Sequence, residues 1–196
     1  MTTLDNSYWS NRYANNDTGW DTGSITPPLK AYFDQLDDKA ISILIPGCGN
    51  SYEAEYLLQN GFINITLIDI SEVLCNNLKE RLAPHLSNGL QIICGDFFEH
   101  EAQYDLIIEQ TFFCALEPSL RKAYAAKMPQ LLKPAGKLVG LLFSRNFEGG
   151  PPFGGNETEY RQLFEPYFDI QLMEPCYNSI KPREGAELFV KMVNRA

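Results

Sequence analysis

Three short sites in the chain could between them hold a nucleoside. Gly47 and Gly49 form a Gly-x-Gly turn behind an apolar run, residues 41–45, and glycine there lets backbone approach a ligand that a Cβ would exclude. Asp69 ends a second apolar run, residues 65–70, where a carboxylate can accept both hydroxyls of a ribose. The lesser alternative is a capping acid before Ser71. Asp96 follows a third run, and could take the exocyclic amine of an adenine while Phe97 packs on its ring; the other reading is a turn aspartate. Each site alone is weak evidence. Together, at the ends of three successive strand-like runs, they describe a ligand bound beyond the carboxyl edge of a parallel sheet.

The same spacing narrows the ligand. A dinucleotide fingerprint places a third glycine where this chain has Tyr52, so close approach of a pyrophosphate to the helix N-terminus is disfavoured. A single nucleoside without phosphates has no such need. The segment 7–20 adds Tyr8, Trp9, Tyr13 and Trp20 within a stretch rich in Asn, Ser, Asp and Thr, and it holds both tryptophans of the protein. Bulky aromatics in polar surroundings suit either a flap over something flat or cationic, or an arm pinned to the domain by its rings.

Elements to position these residues can be read along the chain. Thr26-Pro27-Pro28 announces a helix through about residue 36, followed by a strand at 41–45, a helix from Ser51 to Asn60-Gly61, and a strand at 65–70. Ser71 and Glu72 open a helix to about residue 82, before strands at 90–94 and 104–110. Pro118-Ser119 opens another helix, to about residue 132, that closes at Lys133-Pro134-Ala135-Gly136, and a strand follows at 137–143. Residues 147–156, with four glycines and two prolines, make a loop. A helix at 157–164 and two strand-like runs, 168–173 and 187–193, complete the chain. Five alternations of strand and helix predict an α/β fold, a doubly wound, mostly parallel seven-stranded sheet with helices on both faces. The last two runs lack a helix between them and predict an antiparallel pair at the C-terminal end.

At 196 residues the chain is expected to be a single domain, 1–196, with residues 1–25 as an N-terminal aromatic arm. A net charge of −9 without a Lys/Arg cluster argues against nucleic acid and for a small-molecule substrate. Five scattered cysteines without ligand spacing predict neither a metal site nor a disulfide framework. Cys48, although in the turn, has no evident activating base and reads as a compact apolar residue. The first ten residues lack the basic start and apolar centre of a signal peptide, and no apolar run reaches the roughly 20 residues of a membrane span. A cytoplasmic protein, free of membrane and with a monomer favoured, is the expectation.

Pro46-Gly47-Cys48-Gly49, Asp69-Ile70-Ser71, Gly95-Asp96-Phe97 and Tyr104-Asp105-Leu106-Ile107 resemble the ordered motifs of class I S-adenosylmethionine-dependent methyltransferases. More narrowly, Trp9-x-x-Arg12-Tyr13, Thr18-Gly19-Trp20-Asp21, Gly150-Pro151-Pro152-Phe153 and Pro182-Arg183-x-Gly185-x-Glu187 resemble the thiopurine S-methyltransferase family, which includes halide and thiol methyltransferases. The resemblance implies S-adenosyl-L-methionine as cofactor and S-adenosyl-L-homocysteine as product. It further implies Trp9 and Trp20 closing the pocket, Gly47 and Gly49 at the methionine part, Asp69 at the ribose and Asp96-Phe97 at the adenine. Glu109 and Gln110 then stand beside the transferable methyl. The Thr-Phe-Phe-Cys stretch at 111–114 resembles the halide/thiol branch, where mammalian thiopurine enzymes have an Asp-Arg pair at the preceding strand exit. The acceptor implied is a small soft nucleophile: a thiol or thiopurine, a halide, thiocyanate, or a selenium or tellurium species. Arg183 could attract such an anion, or be a surface arginine. If a thiol must lose its proton, Tyr13 and Glu109 are the candidate bases. Methylation of an oxygen or nitrogen acceptor, and cofactor binding without turnover, are the rival readings.

Overall fold

A computed structural model describes residues 3–86 and 88–195. Its sheet has seven strands: β1 Ile43–Pro46, β2 Ile65–Asp69, β3 Leu90–Cys94, β4 Tyr104–Gln110, β5 Leu132–Phe143, β6 Phe168–Pro175 and β7 Glu187–Asn194. Their order is β3-β2-β1-β4-β5-β7-β6. The first five strands pair in parallel, and β7 lies antiparallel to both β5 and β6. The doubly wound sheet and its antiparallel ending match the expectation. The strand order reverses between the parallel neighbours β1 and β4, where two adjacent connections leave on opposite sides and a crevice opens above the strand ends.

Alternation along the strands fills two separate cores. Ile43, Ile45, Ile65, Leu67, Leu106 and Ile108 face one side and pack with Leu29, Phe33, Ala54, Leu57, Leu74 and Leu78. Those partners come from helices α2 (Pro27–Phe33), α3 (Tyr52–Gln59) and α4 (Glu72–Arg81). Leu44, Ile68, Ile107, Leu138 and Leu142 face the other side, with Tyr124, Met128, Tyr160 and Phe164. These last four are carried by α5 (Arg121–Gln130) and α6 (Glu157–Phe164). Period-two side-chain direction in buried strands produces this two-sided core.

Two boundaries differ from the expectation. The helix from Pro27 ends at Phe33 instead of near residue 36, and Leu36 packs as a loop residue on the first core. Residues 133–136 do not form a helix-ending turn. They belong to β5, which begins at Leu132, and the register to β4 shifts there around Ala135 at φ 60°. The Asn194 amide donates to the carbonyls of Leu132 and Lys133, and Lys133 bonds Asp105 at 2.7 Å. Those contacts hold the irregular stretch in the sheet. The arm, read from the sequence as an aromatic segment, forms a helix, α1 (Asn6–Ala14).

Candidate active site

A cavity of about 860 Å³ lies over the carboxyl ends of β1 to β5. The exit of each strand contributes to it: residues 47–53 after β1, 69–70 after β2, 95–98 after β3, 110–117 after β4, and 143–147 after β5. The arm and Pro151-Pro152 complete the wall.

The turn after β1 is tight because both its glycines have positive φ, 53° at Gly47 and 52° at Gly49. Their roles differ. A Cβ on Gly47 would lie 2.2 Å from the Phe112 ring, so this glycine makes room for Phe112 more than for a ligand. A Cβ on Gly49 would sit 3.5 Å from the Tyr13 hydroxyl, an ordinary contact. The clearance at Gly47 expected for a ligand is thus taken by a side chain of the same protein.

Asp69 is half-buried and lines the cavity. One carboxylate oxygen accepts the Ser71 amide at 2.9 Å, and the other accepts the more distant Gly49 amide at 3.4 Å. The cap of α4 is Ser71, whose hydroxyl accepts from the Leu74 amide. Asp69 therefore braces the turns after β1 and β2, and each oxygen keeps lone-pair capacity. Loss of water around it pushes its carboxyl up to about 6, against which the Ser71 and Gly49 amides act.

Asp96 is exposed, lines the cavity, and accepts the Phe98 amide at 2.8 Å, so it is a turn aspartate and a cavity residue at once. Phe97 is buried, edge-on to Phe112 at 5.2 Å, and also lines the cavity.

The arm meets this site with its aromatic side. Trp9 and Tyr13 each stand edge-on to Trp20, at 5.6 and 5.7 Å, and all three line the cavity. Helix α1 buries no residue fully, though its Tyr13 packs against the first core. Polar ties add to that contact. Ser10 bonds Ser71 at 3.1 Å, the Glu72 amide donates to Asn6, and Asn50 donates to Asp21. Arg183 donates to the Trp20 carbonyl at 2.7 Å. The arm is thus both tethered and part of the wall, and the two readings of its sequence are compatible.

Arg183 is 8% exposed, which excludes the surface-arginine reading. It lines the cavity, binds Trp20, and pairs with buried Glu187 at 3.5 Å. Gln110 also lines the cavity and accepts the Thr26 hydroxyl at 2.7 Å. Thr26 precedes α2, but its side chain makes no capping bond and is used instead to hold Gln110.

Glu109 stands elsewhere. It is 1% exposed and is not among the cavity-lining residues. Its carboxylate accepts the amides of Phe112 and Phe113, both at 2.9 Å, and the Tyr124 hydroxyl at 2.5 Å. Burial pushes it up to about 7 despite these donors. The expectation of Glu109 beside the methyl is corrected by this geometry: on β4 it points to the opposite face from Ile108 and Gln110 and braces the loop at 111–113. Tyr13 is well placed, yet burial, and next the charge of Asp69, push its phenol far above the ordinary range. A phenol so shifted is a neutral donor and a poor base. Cys48 and Cys114, both buried, have thiols raised first by burial, as inert apolar residues do.

Glu53 escaped the reading of the sequence. It lies in the first turn of α3, 6% exposed, and lines the cavity. The buried residues of this helix are Glu53, Ala54 and Leu57. An acid four residues before Leu57, on the apolar side, was the available signal.

The comparisons agree with this geometry. The chain is 30% identical over 185 residues to "Probable thiol methyltransferase 2" of Arabidopsis thaliana, covering 91% of this chain and 81% of that protein. It is 29% identical to "Thiocyanate methyltransferase 1" of Brassica oleracea, covering 94% and 84%. A similar fold, at TM-score 0.77 and 18% identity, is that of Burkholderia thailandensis 1,6-didemethyltoxoflavin-N1-methyltransferase with bound S-adenosylhomocysteine, covering 97% of this chain and 87% of that one. The family profile described as thiopurine S-methyltransferase matches residues 4–194, nearly the full length. This chain belongs to the thiopurine S-methyltransferase family and is an S-adenosylmethionine-dependent methyltransferase.

Proposed function

We propose that the cavity holds S-adenosylmethionine with its adenosine toward Asp69, Asp96 and Phe97, and presents its methyl to a soft nucleophile arriving between the arm, the loop at 111–116 and Pro151-Pro152. The acceptor class is a thiol or thiopurine, a halide, thiocyanate, or a selenium or tellurium species, in keeping with the names of the relatives. The observation that carries this reading is the aromatic wall: Trp9 and Tyr13 each stand edge-on to Trp20, and all three line the cavity together with Asp69. Aromatic faces attract a cation, and a carboxylate receives hydroxyls. An unpartnered buried carboxylate oxygen on Glu53 also leaves a place for a donor.

When bound, the cofactor supplies an electrophilic methyl on a sulfonium. The chain's own part is alignment and exclusion of water, because a thiolate or halide is already nucleophilic. Gln110, oriented by Thr26, and the neutral Tyr13 phenol position polar groups without taking a proton. Glu109 acts through the loop at 111–113 as a positioning residue. Arg183 ties the arm down and places positive charge on the wall, which favours an anionic acceptor in a chain of net charge −9. We assign the protein to a reducing, cytoplasmic setting on its five free thiols; among the described residues no helix is long and apolar enough to cross a membrane.

Calorimetry with S-adenosylmethionine and S-adenosylhomocysteine tests the cofactor assignment, and binding of neither sinks it. Turnover on a panel of bisulfide, iodide, thiocyanate, aromatic thiols and tellurite then tests the acceptor class. Methylation of none of these, with activity toward a hydroxyl or amine, would overturn it.

A further inference from the structure

Glu53 has a burial that the fold itself does not account for. Its Oε1 is enclosed and has no hydrogen-bond partner. The charged groups that face it are Arg183 and Asp21, the first easing its charge and the second opposing it. Arg183 is already committed, with one nitrogen on the Trp20 carbonyl at 2.7 Å and the other toward Glu187 at 3.5 Å. The backbone amide of Glu53 itself eases the carboxylate, but leaves Oε1 open. Glu109, at least as deeply buried, receives three donors, and half-buried Asp69 receives two. Burying a carboxylate oxygen without a donor is unfavourable.

A donor brought by a ligand would resolve this. We propose that Glu53 is the counter-ion of the cofactor's primary ammonium, and so selects the intact amino-acid end of the adenosyl ligand. This rests on the assignment of the cavity to S-adenosylmethionine. Glu53 follows the turn at 47–51 by two residues, at the exit of β1, which β2 separates from the exit of β3 and the adenosine residues Asp96 and Phe97. The hydroxyls of the ligand already have an acceptor in Asp69. An ammonium is the remaining strong donor, and with Asp21 nearby a cation is better placed than a neutral group. Burial holds the Glu53 carboxyl up at about 7, so an arriving ammonium would displace its proton near neutral pH.

The test compares S-adenosylhomocysteine with its desamino analogue, which differs only in lacking the ammonium, on the wild type and on Glu53→Gln. In the wild type, losing the ammonium is expected to weaken binding about 10- to 100-fold, and in Glu53→Gln by no more than about 3-fold. An equal penalty in both proteins overturns the proposal. A wild type that binds S-adenosylhomocysteine no better than an unrelated nucleoside refutes instead the cofactor assignment beneath it. Should Glu53→Gln fold poorly, proton release decides on the wild type alone. Calorimetry near pH 7 in buffers of different ionisation enthalpy should show more protons released by S-adenosylhomocysteine than by the desamino analogue. Equal release by both ligands overturns the proposal.

Discussion

Asp69 shows how one side chain serves both the fold and the ligand. It holds the turns after β1 and β2 through the Gly49 and Ser71 amides, and those amides keep it ionised above about pH 6 in spite of its burial. Asp69→Ala should weaken S-adenosylhomocysteine binding by about 1.5–3 kcal/mol, through loss of hydrogen bonds to a charged group. Calorimetry giving equal affinity would remove its ribose role. In the wild type the accepting form is the carboxylate, so affinity should hold above pH 6 and decline as pH falls through that value. At Gly47 the constraint is internal. Gly47→Ala sets a Cβ into Phe112 at a positive-φ position, and should cost about 2 kcal/mol or more in urea unfolding. For Tyr13, a neutral phenol implies that Tyr13→Phe leaves the pH profile of thiol methylation unchanged, with the acceptor's own thiolate fraction setting it. A displaced profile would restore Tyr13 as a base.

Among the elements, α1 is unusual in having neither a buried face nor a strong amphipathic pattern. Hydrogen bonds from Asn6 and Ser10 tie it to the start of α4, and the arm beyond it is tied at Trp20 to the C-terminal segment through Arg183. Such ties are weaker and more easily opened than apolar packing, which suits a segment that must admit a ligand. Arg183→Ala removes the tie to Trp20 and leaves Glu187 buried without its partner. Breaking a buried pair in this way should lower stability by about 3 kcal/mol, and tryptophan fluorescence should report a loosened arm. Unchanged fluorescence with lost stability would confine Arg183 to its pairing with Glu187. The loop after β4 shows the converse, a segment fixed from beneath. Glu109→Gln keeps one acceptor oxygen and should cost about 1–3 kcal/mol in unfolding, with little change in cofactor affinity.

Over the whole molecule, the net charge of −9 is joined by carboxyls whose burial raises them: Glu53 and Glu109 to about 7, Asp69 to about 6, and Glu187 in the same direction. Between the ordinary carboxylate values and pH 7 the folded chain therefore binds more protons than the unfolded one. Stability of the ligand-free protein should rise as pH is lowered from 7.5 to 5.5, and fall as pH rises through that window. His100, shifted downward, opposes this with a single group. Asp34 and Asp105 are held below the ordinary carboxylate value, so their contribution is lost only at lower pH. Urea unfolding at the two pH values measures the sign. Cofactor binding, if it ionises Glu53 and Asp69, should flatten the dependence.

The strands, the parallel order, the antiparallel end and the positions of Asp69, Asp96 and the glycine turn were all legible in the sequence. Each follows from local rules: period-two apolar runs, turn residues, and acids at run ends. Side-chain direction at β4 was not legible as a catalytic placement, because one residue of register decides whether Glu109 or Gln110 meets the cavity. Nor was Arg183's attachment to Trp20, 163 residues away in the chain, or the use of Gly47 by Phe112. Such contacts join segments that no local pattern relates. The sequence by itself determined the sheet and the reaction class, since these rest on periodicity and ordered motifs. Only the tertiary structure decided which of the adjacent Glu109 and Gln110 faces the cavity, which arginine holds the arm, and that one carboxylate oxygen of Glu53 is enclosed in the wall without a donor, because burial and pairing exist only once distant segments meet.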